Sequence, residues 1–382
     1  MVARSRHEPH RVATPLELLF DLVFVVAIAQ AAEGLHHAIV EHHTLVGLEG
    51  FLMVFFAIWW AWMNFTWFAS AYDIDDVPYR LAVFVQIAGA LVLAGGVTAM
   101  LEARVPNVAV LGGYVLMRLA LVAQWLRAAA SDPPRRVMAY RYAAGITLTQ
   151  AAWLAMLWMP QYWHAGFAVL VSLELAVAVF AERAAGSPWH PHHIAERYGL
   201  LTLIVLGESI LAGTLAVQSA LVSGQALGDL IALIAGGLLL VFSMWWVYFD
   251  RPVHDLLTSV RTAIEWGYGH YVVFASAAAV GAGLAVSVDQ VTARTGIGRT
   301  TAGYAVAIPA ALFLVSLWLL HRRRADWRTG AVDPVVAVLI LLTPLTGHAV
   351  LLSGVLLASM VGARLVVSGG AAADHSASGG TV

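Results

Sequence analysis

Lysine is absent from these 382 residues, so all 21 basic side chains are arginine. Cysteine is absent as well. A chain without thiols has no disulfides, no cysteine-held zinc or iron–sulfur cluster and no thiol nucleophile. Charge is scarce. Only 12% of the residues are charged and 60% are hydrophobic, whereas an ordinary soluble domain carries about 25% charged residues. Mean hydropathy is +0.79. A soluble chain of this length would need far more polar surface to cover its cores, so the composition describes a multi-pass membrane protein. The formal net charge of −2 gives a nucleic-acid partner no electrostatic footing. Glycine-rich phosphate loops, nucleophile elbows and metalloprotease motifs are also missing. Neither an enzyme nor a cofactor is therefore expected.

What is present is a series of long apolar runs. A helix needs ~20 residues to cross the apolar slab. The runs predict spans near 15–35, 47–71, 80–101, 107–127, 138–159, 164–183, 194–216, 228–249, 265–288, 301–321, 333–348 and 350–368. The last two form one apolar stretch broken by Pro344 and Gly347, and read as two spans or a re-entrant pair. Arg4, Arg6 and Arg11 before the first run, with Ala27-Ile28-Ala29 inside it, imitate a signal peptide. Asp21 within the run argues for a first helix that stays attached. Arginine placement predicts the orientation. With the N-terminus in the cytoplasm, 17 arginines fall at inner ends, Arg104, Arg294 and Arg299 fall outside, and Arg118 lies within a span. Both termini are then cytoplasmic.

The two halves echo one another. "ELLFDLVFVVAIAQ" (17–30) lies over "ERYGLLTLIVLGES" (196–209), and "WWAW" (59–62) over "WWVY" (245–248). The expected architecture is an all-α polytopic membrane protein of about twelve transmembrane helices, built as two tandem parallel six-helix repeats. Residues 1–13 form a cytoplasmic segment, 14–185 the first repeat, 186–368 the second and 369–382 a disordered tail.

Two acids interrupt the first apolar run, "TPLELLFDLVFVVAIAQ" (14–30). Thr14, Pro15 and Glu17 make a capping box with proline at the first helical position. Asp21 lies one turn deeper, ~6 Å further in. Glu17, Asp21, Phe24, Ile28 and Ala31 form one stripe. In the seventh helix the matching stripe is Glu196, Leu200, Leu203 and Gly207, and the deep acid is Glu208, ~18 Å in from Glu196. A carboxylate at such depth costs at least ~2.5–3.5 kcal/mol unless it is neutral, wet or paired. Three deep carboxylates, Asp21, Glu174 and Glu208, face one deep arginine, Arg118. At least two are left without a fixed basic partner. They are either protonated clamps between helices or parts of an ion or proton path.

"TPLELLFDLVFVVAIAQ", "WWAWMNFTWFASAYD" and "HHIAERYGLLTLIVLGESIL" resemble the signature segments of the bacterial low temperature requirement A (LtrA) family, over about residues 10–365. The resemblance implies a multi-pass plasma-membrane protein and transfers no catalytic residues. Phe20-Asp21 with Ile28 is similar to the first-helix motif of the two-repeat lysosomal and bacterial potassium channels, without that motif's serine. This second resemblance implies a path along the first and seventh helices.

The functional expectation is a channel or transporter for a cation or small solute, with Glu17, Asp21, Phe24, Ile28, Arg118, Glu174, Glu196 and Glu208 along or beside the path. The alternative is a non-transporting stress-response or scaffolding protein whose buried charges are structural. The partners are the lipid bilayer, the solute and a second copy of the chain in a homo-oligomer. "GLHHAIVEHH" (34–43) offers His37 and Glu41 as candidate metal ligands, although such loops are more often solvated. "HPHH" (190–193) offers a pH sensor. The tryptophan clusters read as aromatic belts, and "HRRRADWR" (321–328) as an anchor for anionic lipid.

Overall fold

The computed structural model describes residue 4 and residues 12–103, 107–222, 227–250, 253–321 and 331–378. The arginine-rich run 322–328 lies outside the described residues. Among those described there are no strands, only helices and short 3-10 turns. Twelve α-helices follow in order: α1 Pro15–Val40, α2 Thr44–Tyr72, α3 Val77–Ala103, α4 Val108–Ser131, α5 Arg136–Ala155, α6 Trp163–Ala185, α7 Pro191–Val222, α8 Leu227–Phe249, α9 Val260–Val291, α10 Arg299–His321, α11 Val332–Leu342 and α12 Ala349–Ser378.

Local chemistry sets several boundaries. Proline opens α1 and α7, where the missing N–H costs nothing. Asn107 caps α4, its side-chain oxygen accepting from the Ala109 and Val110 amides at 2.8 and 3.4 Å. Asp76 does the same for α3 through the Tyr79 amide at 2.8 Å.

Ten helices among the described residues are long and apolar enough to cross a membrane. Two of the twelve expected spans fall outside that set. The stretch expected as span 138–159 contains all but the first two residues of α5, whose 20 residues include Arg136, Arg141, Thr147, Thr149 and Gln150, too polar a sequence to qualify. Residues 333–348 form the 11-residue α11 and a 3-10 turn at Thr343–Thr346. Together they reach only about 24 Å, short of a ~30 Å apolar core. Pro344 lacks the N–H to continue the helix, and Gly347 turns the chain at φ +79°. α12 runs on to Ser378, over most of the tail whose composition suggests disorder.

The chain divides into two compact units. One takes residues up to Ala38, His43–Ile204 and Val253–Tyr271; the other takes Ile39–His42, Val205–Pro252 and Val272–Val382. The division runs through α7 and α9 rather than between α6 and α7, where the two sequence halves meet.

In the first unit α2 is central. Its rings meet Phe20 of α1, Tyr79 of α3, Trp125 of α4, Phe167 of α6, Tyr198 of α7 and Tyr268 of α9. A helix hydrophobic all round belongs inside. Trp59, Trp60 and Trp62 are therefore core residues, and the aromatic belt expected of them is not found. The partners that enclose α2 come from six other helices, which periodicity within α2 does not reveal. α3 and α4 approach closely through small residues: a Cβ on Gly89 would come 2.7 Å from the Gly113 carbonyl oxygen.

In the second unit α8 packs on α12, and α10 packs on α11 and α12. Gly236 of α8 sits against the α12 backbone, where a Cβ would come 2.8 Å from the Val350 carbonyl carbon. Trp245 and Trp246 of α8 are exposed at 42% and 40%, as a belt requires.

Candidate functional site

Glu17 and Asp21 lie one turn apart on α1 and both are fully buried. The stripe expected there is the helix's buried face, with Phe24, Ile28 and Ala31 equally enclosed. The capping box forms. The Thr14 amide donates to Glu17 Oε2 at 2.8 Å, and the Glu17 amide donates to Thr14 Oγ1 at 3.3 Å.

The other carboxylate oxygen of Glu17 faces α7. It lies 2.8 Å from Arg197 Nη1 and 3.0 Å from His193 Nε2. Arg197 also forks onto Asp21, with Nη2 donating to Oδ1 at 2.6 Å and Nε to Oδ2 at 3.1 Å. Such bidentate geometry is the strong form of the arginine–carboxylate bond. Trp62 of α2 completes Asp21, its indole N–H donating to Oδ1 at 2.6 Å. One guanidinium thus spans two carboxylates, and His193 and Arg197 are fully buried with them.

This arrangement corrects one expectation: Asp21 does not lack a fixed basic partner. The α7 stripe is also out of phase by one position. Glu196 is half-buried and Leu203 and Gly207 are exposed, while His193, Arg197, Leu201 and Val205 are buried. The buried series Ile194, Tyr198, Leu201, Val205 at helical spacing was the signal for the true face. Matching Glu196 to Glu17 concealed it.

A second buried network centres on Glu174 of α6. Arg118 of α4 pairs with Oε2 at 2.8 Å, and the Trp60 indole N–H donates to the same oxygen at 3.0 Å. Around Oε1 are the Tyr114 hydroxyl at 3.1 Å, Thr149 Oγ1 at 3.1 Å and Gln150 Nε2 at 2.8 Å. Five partners from α2, α4 and α5 surround one carboxylate. Buried polar networks rigidify a core when every member is satisfied. On Arg118, Nε and Nη1 have no hydrogen-bond partner among the described residues, and the guanidinium carbon lies 5.9 Å from the Tyr114 ring centroid. Elsewhere Gln86 and Gln124 join α3 to α4 at 3.0 Å.

Glu208 belongs to the second unit. It is half-buried and takes no hydrogen bond or ion pair among the described residues. Near it on α7, Ser209, Gly213 and Thr214 contribute to an apolar cavity of about 280 Å³ between α7, α8 and α9. In the last turns of α1, His37 Nε2 lies 2.9 Å from Glu33, and His36 lies 3.5 Å from the same carboxylate. Glu33, His36 and His37 cluster closely enough to hold a metal ion. Of the "HPHH" segment, His192 stacks on His254 at 3.9 Å while His193 joins the buried charges.

Asp75, outside the spans, forms a two-point pair with Arg80 of the first turn of α3 at 2.7 and 2.6 Å. The Arg80 guanidinium holds the Asp75 carboxyl below the usual carboxylate range.

Long apolar helices closed around charged networks define a polytopic α-helical membrane protein. The sequence model of the bacterial low temperature requirement A protein (LtrA) matches residues 12–369, and the chain belongs to that family. It is 26% identical over 242 residues to the uncharacterized protein RA0937 of Rhizobium meliloti (strain 1021), a match covering 61% of this chain and 57% of that protein. The chain thus spans little more than half the length of that curated relative. No solved structure matches it.

Proposed function

We propose that this LtrA family protein passes a cation or small solute across the bacterial plasma membrane along α1 and α7. One observation carries the reading. Glu17, Asp21 and Arg197 are fully buried together, and two carboxylates with one guanidinium sum to one surplus negative charge. An uncompensated buried charge costs several kcal/mol. A proton on His193 or a mobile cation balances it, so the cluster couples the α1–α7 contact to cation occupancy. Glu208, with no partner among the described residues, is a second carboxylate on α7 that a cation would neutralise. The Glu174 carboxylate, already surrounded by protein donors, braces the helices around the path. In this reading the protein is not an enzyme, and its surroundings are the lipid bilayer.

The test is flux through purified protein in liposomes at pH 5–8, with Asp21→Asn and Glu208→Gln beside wild type. Passage of sodium, potassium or protons by wild type, lowered in both folded variants, supports the reading. No passage of any tested ion or solute removes it, and unchanged flux in both variants moves the path elsewhere. A second reading, a non-transporting stress-response or scaffolding protein, is favoured by the full set of partners around Glu174 and the three donor contacts on Asp21.

The distribution of the 21 arginines supports cytoplasmic termini. That distribution is counted with α5 and the short α11 turn crossing along with the other ten helices, and ten crossings, like twelve, leave both termini on one side. The chain contains no cysteine, so Ser5→Cys and Ser378→Cys report sidedness directly with a membrane-impermeant thiol reagent. Labelling of either from outside intact cells would overturn it.

A further inference from the structure

Within the first unit, Trp67, Trp125, Tyr142, Trp189 and Tyr268 line a partly enclosed cavity of about 40 Å³, with Glu182 in its wall. That is room for roughly three waters. The lining residues come from α2, α4, α5, α6, α9 and the segment before α7, so the cavity is a product of tertiary packing. It shares no residue with the charge cluster of Glu17, Asp21 and Arg197.

The carboxylate is held but not neutralised. Its Oε1 accepts from the Tyr142 hydroxyl at 2.9 Å, and its Oε2 accepts from the Ser187 amide at 2.8 Å. Both donors are neutral, and no arginine or histidine pairs with Glu182 among the described residues. Arg183, next in sequence, is exposed and forms no ion pair with Glu182 among the described residues, and two other arginines are engaged elsewhere. Arg135 bonds Asp132 and the Gly186 carbonyl, and Arg141 bonds the Phe180 carbonyl and lies over the Phe180 ring. One negative charge thus remains at the cavity wall without a protein cation.

The rest of the wall suits one kind of cation. Trp125 and Tyr142 stack at 4.2 Å and 6°, and Trp67 lies 5.3 Å from Trp189. The Trp67 ring is held in place, its indole N–H donating to Tyr198 Oη at 3.1 Å. Gly267 leaves the space open, since a Cβ there would come 3.0 Å from that same hydroxyl and 3.5 Å from the Trp67 ring. Hard metal ions need six or more oxygen ligands, and this wall is mostly aromatic. Indole and phenol faces attract weakly hydrated ammonium groups, most strongly where water is excluded.

We propose that this cavity binds a small organic ammonium ion, its charge set against Glu182 and its N–H or N-methyl groups against the aromatic rings. The proposal stands apart from the transport reading: the site would bind its cation whether or not the protein moves one.

The test is saturation-transfer NMR on the full chain in detergent micelles, with methylammonium and tetramethylammonium as probes and tert-butanol as a neutral probe of similar shape. Saturable transfer to at least one cation, with little to tert-butanol, is expected. Glu182→Gln should weaken binding by at least about tenfold, and Trp189→Phe, which keeps a ring but weakens its field, by a few-fold. Asp75→Asn, outside both the cavity and the buried charge cluster, should bind as wild type. The proposal is overturned if neither cation shows saturable transfer to wild type, if tert-butanol binds equally, or if folded Glu182→Gln binds as tightly as wild type.

Discussion

Arg197 of α7 holds both carboxylates of α1, 2.6 Å from Asp21 and 2.8 Å from Glu17. Residues 176 positions apart in the chain meet at full burial. A guanidinium removed from such a site leaves two buried negative charges facing each other.

Replacing Arg197 with methionine should therefore destabilise the protein by roughly 3–5 kcal/mol, the cost of breaking a buried ion pair from one side. Asp21→Asn should cost less, about 1–3 kcal/mol, because the amide oxygen still accepts from Trp62. Unfolding in detergent measures both. A loss well under 1 kcal/mol for Arg197→Met would mean that water fills the site.

The Arg118–Glu174 pair gives a sharper contrast. Either single change to methionine strands a charge in the core and should cost roughly 3–5 kcal/mol, whereas the double change removes both charges and should cost much less than the two losses added together. A double-mutant cycle reads this directly. Additive losses would show that the two side chains act independently despite their 2.8 Å contact.

Asp75 supplies a pH signature. Its carboxyl is held below the usual range by hydrogen bonding to Arg80. A group lowered in the folded state adds stability above its unfolded value, near 3.9 for aspartate, and loses it as pH falls through the folded value. Asp75 sits at φ +50°, a conformation asparagine also tolerates. Asp75→Asn should thus lose a contribution at neutral pH, small because the pair is exposed, and converge with wild type in acid, which leaves the variant a shallower acid limb below pH ~4. An identical acid limb in wild type and variant would show that the pair contributes nothing.

Much of the first helix was legible in sequence. The capping box of Thr14 and Glu17 is local, set by a three-residue spacing, and it forms as spacing demands. The stripe through Asp21, Phe24 and Ile28 follows from helical geometry alone. The partners were less accessible. Pattern matching between halves placed Glu196 over Glu17 and so drew attention to the half-buried face of α7. The tryptophans of α2 read as an interface belt because nothing within α2 tells that six other helices surround it.

From composition and run length the chain is bound to a membrane as a set of helices, because backbone groups in oil must be satisfied within each segment and a helix does this without help from its neighbours. The acids at 17, 21, 174 and 208 are equally a matter of sequence. Which arginine answers which acid was decided only by tertiary structure. A pair between distant helices depends on rotation and depth of each helix, and those are set by packing against all the others. The same holds for Glu182, an ordinary acid near a helix end until five aromatic rings from separate segments gather at the cavity it borders.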